Sequence, residues 1–449
     1  MRDTEKDFFR DDELVSDPYP YLAALRNKCP VRREPHHDVV IVTGYDEALA
    51  VLGDATTFSS CMSVTGPFPG FPVPLEGDDV SELIASHRDA IPMSDQIITL
   101  DPPTHTDHRA LLMGLITPKR LKENEAFMWE LTDRVLDSFV TGGRGEFIGE
   151  FAAPFSLLVI ADLLGVPEED RDEFAAVLGR SDAGVGSTGD DTLRHGPLEY
   201  LYERFSRYIE DRRREPREDV LTGLATATFP DGSTPEVIDV VRVATNVFSA
   251  GQETTVRLLG SALKILAERP DIQQLLRRER DRVPNFIEET LRIESPVKGD
   301  FRLSRVASAV GGVDIPAGTT LMVLNGAANR DPNQFHEPDT FDPVRPNARR
   351  HIAFGRGIHS CPRCSTGPWG GAGYHRASSR PHHRHQNRRG QAWPRRRSPL
   401  PVRPDVHPAR PDRTASRVHA LSCVDRQHAV RRGVNSGSEP PAHRCHARA

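Results

Sequence analysis

Phe354-Gly355-Arg356-Gly357-Ile358-His359-Ser360-Cys361 is the stretch on which the reading of this 449-residue chain turns. Its two glycines let the backbone turn sharply, so that main-chain N–H groups can approach the sulfur that ends the segment. A thiolate held in that way suits a metal ion, because hydrogen bonds to the sulfur moderate its charge and tune the metal it binds. The bland alternative is a glycine-rich surface turn with a chance cysteine. Segments elsewhere in the chain have to decide between the two.

Toward the N-terminus, helical periodicity dominates. The spacing predicts a long helix from Thr234, an N-cap residue followed by Pro235 at the first helical position, to Glu268 just before Pro270. At 1.5 Å per residue it is about 50 Å long and can cross a whole domain. Ala250-Gly251-Gln252-Glu253-Thr254-Thr255 lies in its middle. A mid-helix glycine costs about 1 kcal/mol against alanine, so Gly251 asks for a reason. One reason is close approach of a flat ligand, with the backbone locally opened into a groove. The hydroxyl of Thr254 and the carboxylate of Glu253 beside such a groove could deliver protons to dioxygen. A polar face on an ordinary packed helix is the competing reading.

Two further patterns are weak when seen alone. Glu289-Thr290-Leu291-Arg292 is an i, i+3 pair of the kind that usually decorates a helix surface. His105 and Arg109 stand one turn apart after Asp101-Pro102-Pro103, on a shared face that can grip a carboxylate. The remaining periodicity predicts helices at Pro20 to Asn27, Tyr45 to Leu52, His105 to Leu115, Pro118 to Val140, Phe151 to Leu164, one through Tyr208, Asp271 to Arg280 and Asn285 to Ile293. Strands are predicted at His37 to Thr43, Phe301 to Ser304, Ala309 to Val313 and Thr320 to Asn325. Long irregular loops are expected at Cys61 to Glu76 and Ser181 to Gly196. The fold class is mainly α with small β-sheets.

Together these segments resemble the cytochrome P-450 family, soluble bacterial type, over Asp17 to Cys361. The Cys361 segment is similar to its haem-binding loop, F-x-x-G-x-x-x-C with His two places before the Cys. Gly251 to Thr254 resembles its A-G-x-[DE]-T oxygen-activation motif. Glu289-x-x-Arg292, followed by Arg345 in Phe341-Asp342-Pro343-Val344-Arg345, resembles its buried charge network behind the haem loop. The resemblance implies haem b (iron protoporphyrin IX) with Cys361 as axial ligand, and Phe354 and Gly355 packed in the ligand loop. It implies His105, Arg109, Arg302 and His359 on the haem propionates, and Gly251, Glu253 and Thr254 at oxygen activation. The implied activity is insertion of one oxygen atom into an apolar small molecule, with electrons from a ferredoxin or ferredoxin reductase type donor. A monomer is expected.

Composition divides the chain in two. From Pro362 to Ala449 there is no Lys, Ile, Phe or Met, but eighteen Arg, nine His and eleven Pro, for a formal charge of +14. The whole chain is −6, so residues 1–361 carry −20, which excludes nucleic acid as a partner. The charged N-terminus and the absence of any long apolar run argue against a signal peptide or membrane anchor and for a cytoplasmic location. Six irregularly spaced Cys do not form a disulfide framework. After Cys361 the family continues with a helix under the haem, whereas this chain reads Pro362-Arg363-Cys364-Ser365-Thr366-Gly367-Pro368-Trp369. The codons for those residues, read one base later, can spell Pro-Gly-Ala-Pro-Leu-Ala-Arg, as after a frameshift. Residues 1–361 are therefore expected to form a C-terminally incomplete haem domain, and residues 362–449 a disordered tail with too little apolar surface to offset ordering entropy. A zinc site built on Cys361-x-x-Cys364 with His382, His383 and His385 fits no standard spacing. The alternative function is an inactive family member that fails to hold haem.

Overall fold

The computed structural model describes residues 6–141, 143–178 and 196–362. The loop expected at Ser181 to Gly196 and the tail expected after Pro362 lie outside the described residues, the tail entirely and the loop but for Gly196.

A helical layer surrounds the long helix Val237–Glu268, which packs on helices Ala153–Leu164 and Gly196–Arg214 and on helix Thr104–Leu115. Val240, Val241, Ala244 and Phe248 give its first half one apolar stripe. They meet Leu111, Leu112, Leu157, Ile160, Phe205 and Ile209 in the largest core cluster. From Gly251 to Ser261 every residue of the same helix is only half-buried. The helix begins later than expected. Thr234 and Pro235 stay outside it, because Asp231 and Ser233 close a turn (Ser233 Oγ to Asp231 Oδ1, 2.6 Å) and the Pro235 carbonyl accepts from Arg213 Nη2 at 2.7 Å.

Among the described residues seven strands, β1 Val31–Arg33, β2 Val40–Val42, β3 Phe58–Ser59, β4 Asp300–Ser304, β5 Ser308–Val310, β6 Val313–Ile315 and β7 Thr320–Val323, form two sheets. In the larger, ordered β1-β2-β7-β4-β3, β2 runs parallel to β7 (Val42 beside Val323) and all other pairs are antiparallel. Register places Arg302 opposite Leu321 and Ser59 opposite Leu303. The sheet thus fastens strands from residues 31–59 to the strand that carries Arg302.

The single strand expected at Ala309 to Val313 is two strands. Gly311 and Gly312 (φ +56° and +78°) make the two-residue hairpin turn between β5 and β6 that needs positive φ at both positions. The expected helices are otherwise present within a few residues of their limits, except that the one through Tyr208 spans Gly196–Arg214, and Cys61 to Glu76 is irregular apart from turns. Among the described residues no helix is long and apolar enough to cross a membrane.

Candidate functional site

The loop from Phe354 to Cys361 is closed by a hydrogen bond from the Cys361 N–H to the Phe354 carbonyl, 2.8 Å. Gly355 and Gly357 have φ of +67° and +70°. Gly357 also lies directly against the Leu52 carbonyl at the end of helix Tyr45–Gly53, where any Cβ would collide with it. Phe354 stacks at a tilt on His351, ring centroids 5.5 Å apart. The loop is thus fixed on three sides, and Cys361 stands half-buried at its end.

Helix Thr104–Leu115 brings two of the expected residues to this loop. Arg109 Nη2 donates to the Ser360 carbonyl at 2.6 Å, and the His105 ring lies 4.1 Å, centroid to centroid, from that of His359. Strand β4 supplies Arg302, whose Nη1 donates to Ser63 Oγ (3.1 Å) and the Phe301 carbonyl (2.7 Å). Among the described residues neither Arg109 nor Arg302 has a carboxylate within ion-pair distance, and the buried His359 Nε2 has no hydrogen-bond partner. Burial lowers the pKa of both guanidinium groups, with the negative charge of an ionised Cys361 opposing it at Arg109 and Asp300 and Asp101 opposing it at Arg302. Burial, reinforced by Arg109, pushes His105 down to about 4. His359 falls to about 2, through burial and then the neighbouring His105 and Arg302. Two unpaired guanidinium groups and two imidazoles kept neutral by burial converge beside one thiol. Such a cluster can donate to an anionic ligand.

Behind the loop, Glu289, Arg292 and Arg345 form the expected network at almost no exposure. Arg292 grips Glu289 with two bonds (2.7 and 2.8 Å) and Arg345 Nε adds a third (3.0 Å). The guanidinium groups also donate to the carbonyls of Asn329, Pro338, Thr340, His336 and Glu337. Asn329 relays the order forward, since its Oδ1 accepts from the Ile352 N–H at 2.7 Å, two residues before Phe354. The network had further members that motif reading missed. Glu288 accepts from His351 Nε2 at 3.1 Å, and Asn329 Nδ2 donates to Ser295 Oγ at 2.8 Å. The adjacent Glu288-Glu289 on a helix was the available signal for the first. Asp101, read only as a helix start, is a buried carboxylate with several partners.

The long-helix residues sit differently. Thr254 Oγ1 donates to its own helix at the Ala250 carbonyl, 2.7 Å, and Glu253 pairs with Arg257. The helix is continuous through Gly251, where a Cβ would lie 2.7 Å from Ile160 Cδ1 of helix Ala153–Leu164. Ser156 of that helix donates instead to the carbonyls of Gly251 (3.2 Å) and Gln252 (2.8 Å).

A mainly helical fold and a cysteine loop backed by a buried acid–base network, with guanidinium and imidazole donors beside it, fit a haem-thiolate monooxygenase. The comparisons with known proteins agree. The family model for cytochrome P450 matches residues 198–362. Cytochrome P450 144 of Mycobacterium tuberculosis is 34% identical over 358 residues, covering 78% of this chain and 79% of that protein. The 6-deoxyerythronolide B hydroxylase of Saccharopolyspora erythraea is 34% identical over 361 residues, covering 78% and 85%. Substrate-free CYP150A6 of Mycobacterium marinum superposes with a TM-score of 0.76 at 55% identity, over 80% of this chain and 85% of that one. The chain belongs to the cytochrome P450 family, and haem is its cofactor.

Proposed function

We propose that residues 1–361 form the haem-binding unit, that the haem is haem b, and that Cys361 is its axial ligand. The observation that carries this is the bond from Arg109 to the Ser360 carbonyl, which makes the carboxylate grip and the thiol loop one site. The end of the family match at residue 362 supports the same boundary. Haem held here supplies the redox chemistry that activates dioxygen, and the thiolate favours O–O cleavage.

The chain's own residues do the rest. Arg109, Arg302, His105 and His359 would hold the propionates. Their neutral or unpaired state in the protein leaves donors free for those carboxylates. Gly355 and Gly357 hold the Cys361 backbone in its turn. The Thr254 hydroxyl can exchange its bond to the Ala250 carbonyl for one to a proton acceptor, and Glu253, tethered to Arg257, is the nearby acid. The substrate is an apolar organic molecule, in line with the testosterone complex of CYP109E1 from Bacillus megaterium, 27% identical with a TM-score of 0.65 over 77% of this chain and 86% of that one. A ferredoxin-type donor supplies electrons to a monomer in the cytoplasm.

The test is reconstitution of the full chain with haem. The reduced carbon monoxide complex should show the red-shifted Soret band of thiolate ligation, and Cys361→Ala should lose it. Retention of the band in Cys361→Ala overturns the ligand assignment. A colourless parent chain favours the inactive alternative.

A further inference from the structure

The carboxylate of Asp101 is 7% exposed and joins three separate segments. Its Oδ2 accepts from Ser59 Oγ (2.5 Å) and lies 2.7 Å from Arg305 Nη2 and 3.6 Å from Arg88 Nη1, while Oδ1 accepts from the Ser60 N–H (2.9 Å). Ser59 ends β3, and Arg305 follows β4 three residues after Arg302. The main-chain carbonyl of Asp101 accepts from the His105 N–H at 2.9 Å, in the first turn of helix Thr104–Leu115. One residue therefore ties the strand that carries Arg302 to the helix that carries His105 and Arg109, through a charged bond on one side and a helix-closing bond on the other.

The electrostatics point the same way. Arg88, Arg109, Arg302 and Arg305 bring four guanidinium groups into this quarter of the molecule. Asp101 is the buried acid whose charge reaches both His105 and Arg302, favouring the protonated form of each. Its carboxylate pairs with the side chain of neither, so it leaves their side-chain donors free. A carboxylate that paired directly with Arg302 or Arg109 would occupy the donors a ligand needs. Placed one step back, it balances part of the cationic charge and fixes the separation of the two cation-bearing elements.

We infer that Asp101 is a positioning residue for the carboxylate grip, setting the distance between Arg302 on β4 and the His105–Arg109 pair on its helix. The inference rests on the haem reading above and extends it to a residue that does not touch the cofactor. Charge-assisted hydrogen bonds are short and directional, so a neutral amide in place of Asp101 keeps the volume but loosens the strand side of the strap.

Release to apomyoglobin, measured from the reconstituted full chain for haem and for haem dimethyl ester, separates this role from a general loss of structure. The ester has no free carboxylates. Asp101→Asn should speed release of haem by about tenfold, the low end of what an outer partner of a ligand contributes, and leave ester release nearly unchanged. Arg305→Gln, which cuts the strand side only, should show the same selectivity and replaces Asp101→Asn if that variant does not fold. Equal acceleration for both cofactors, or none for haem, overturns the proposal. If the parent takes up neither porphyrin, the haem reading fails, and amide hydrogen exchange in the chain as isolated decides on Asp101. Faster exchange in Asp101→Asn over both 300–305 and 104–109 then supports the strap, and a change confined to one of them refutes it.

Discussion

Glu289→Gln puts the buried network to the sharpest test. The Glu289 carboxylate is fully buried and receives two bonds from Arg292, one from Arg345 and one from the Asp342 N–H at 3.1 Å. The glutamine is the same size, so no cavity forms. What changes is that two buried guanidinium groups lose their only acid in the trio, and one of the new amide N–H groups must face an arginine donor. Breaking a buried pair from one side costs about 3–5 kcal/mol. The lower end applies here, because both arginines keep their backbone acceptors. That is a large share of the 5–15 kcal/mol typical of a folded domain. The usual argument that such a network can be exchanged for apolar residues without loss fails in this protein. Arg292 and Arg345 between them satisfy five backbone carbonyls. Leaving a buried acceptor unpaired costs about 1–3 kcal/mol each. An all-apolar triple variant at Glu289, Arg292 and Arg345 should therefore be less stable than Glu289→Gln alone. Urea unfolding followed by circular dichroism measures both. A loss below about 1 kcal/mol for Glu289→Gln, or a triple variant as stable as the parent, refutes the reasoning.

Thr254→Ala in the haem-loaded chain should uncouple electron consumption from product formation while haem binding is unchanged, since proton delivery by a positioned group is worth about 10²- to 10⁴-fold; equal coupling in both proteins would remove the role. His105 titrates at about 4 in the folded chain against about 6.5 unfolded, so the unfolded state takes up the proton first and stability falls as pH drops. About 2 kcal/mol should be lost through this group between pH 7 and pH 5, and His105→Gln should flatten the measured slope by that amount. Deleting residues 363–449 should change stability by less than about 0.5 kcal/mol, as for surface changes, because that stretch, rich in Arg, Pro and His, has too little apolar surface to offset ordering entropy. Restoring the alternative frame should raise stability and haem retention, each newly buried Leu, Ile or Val adding roughly 1.5–3 kcal/mol before entropy; equal melting of the two proteins would show the tail at 362–449 to be part of the fold.

Periodicity located the helices because a helix's apolar stripe is written locally, in residues such as Val240, Val241, Ala244 and Phe248. The strands were harder for the opposite reason. Phe58–Ser59 is a strand only because Leu303 and Ser304, some 245 residues on, lie beside it. Val40, Ile41 and Val42 are buried on both faces between β1 and β7, so the alternation expected of a half-exposed strand is absent. Gly311-Gly312 was a readable hairpin signal that the apolar run around it obscured. Thr234-Pro235 carried every local mark of a helix start, yet the turn on Asp231 and the bond from Arg213 hold those residues outside.

The site divides along the same line. Residues proposed to meet the cofactor, such as Cys361, His105, Arg109 and Arg302, are limited to few chemical types at fixed offsets, and so leave motifs. Those that hold them in place act through backbone atoms and can come from anywhere in the chain. Asn329 reaches the cysteine loop through the Ile352 N–H, Ser156 reaches the long helix through two carbonyls, and Asp101 reaches Arg302 by way of Arg305. Gly251 shows the limit most plainly. Its propensity cost marked it as a residue to explain, and the structure adds a close neighbour, the Ile160 side chain of another helix, ninety-one positions earlier in the sequence. A local anomaly identifies where tertiary structure acts on a residue, and only the packing identifies which partner acts.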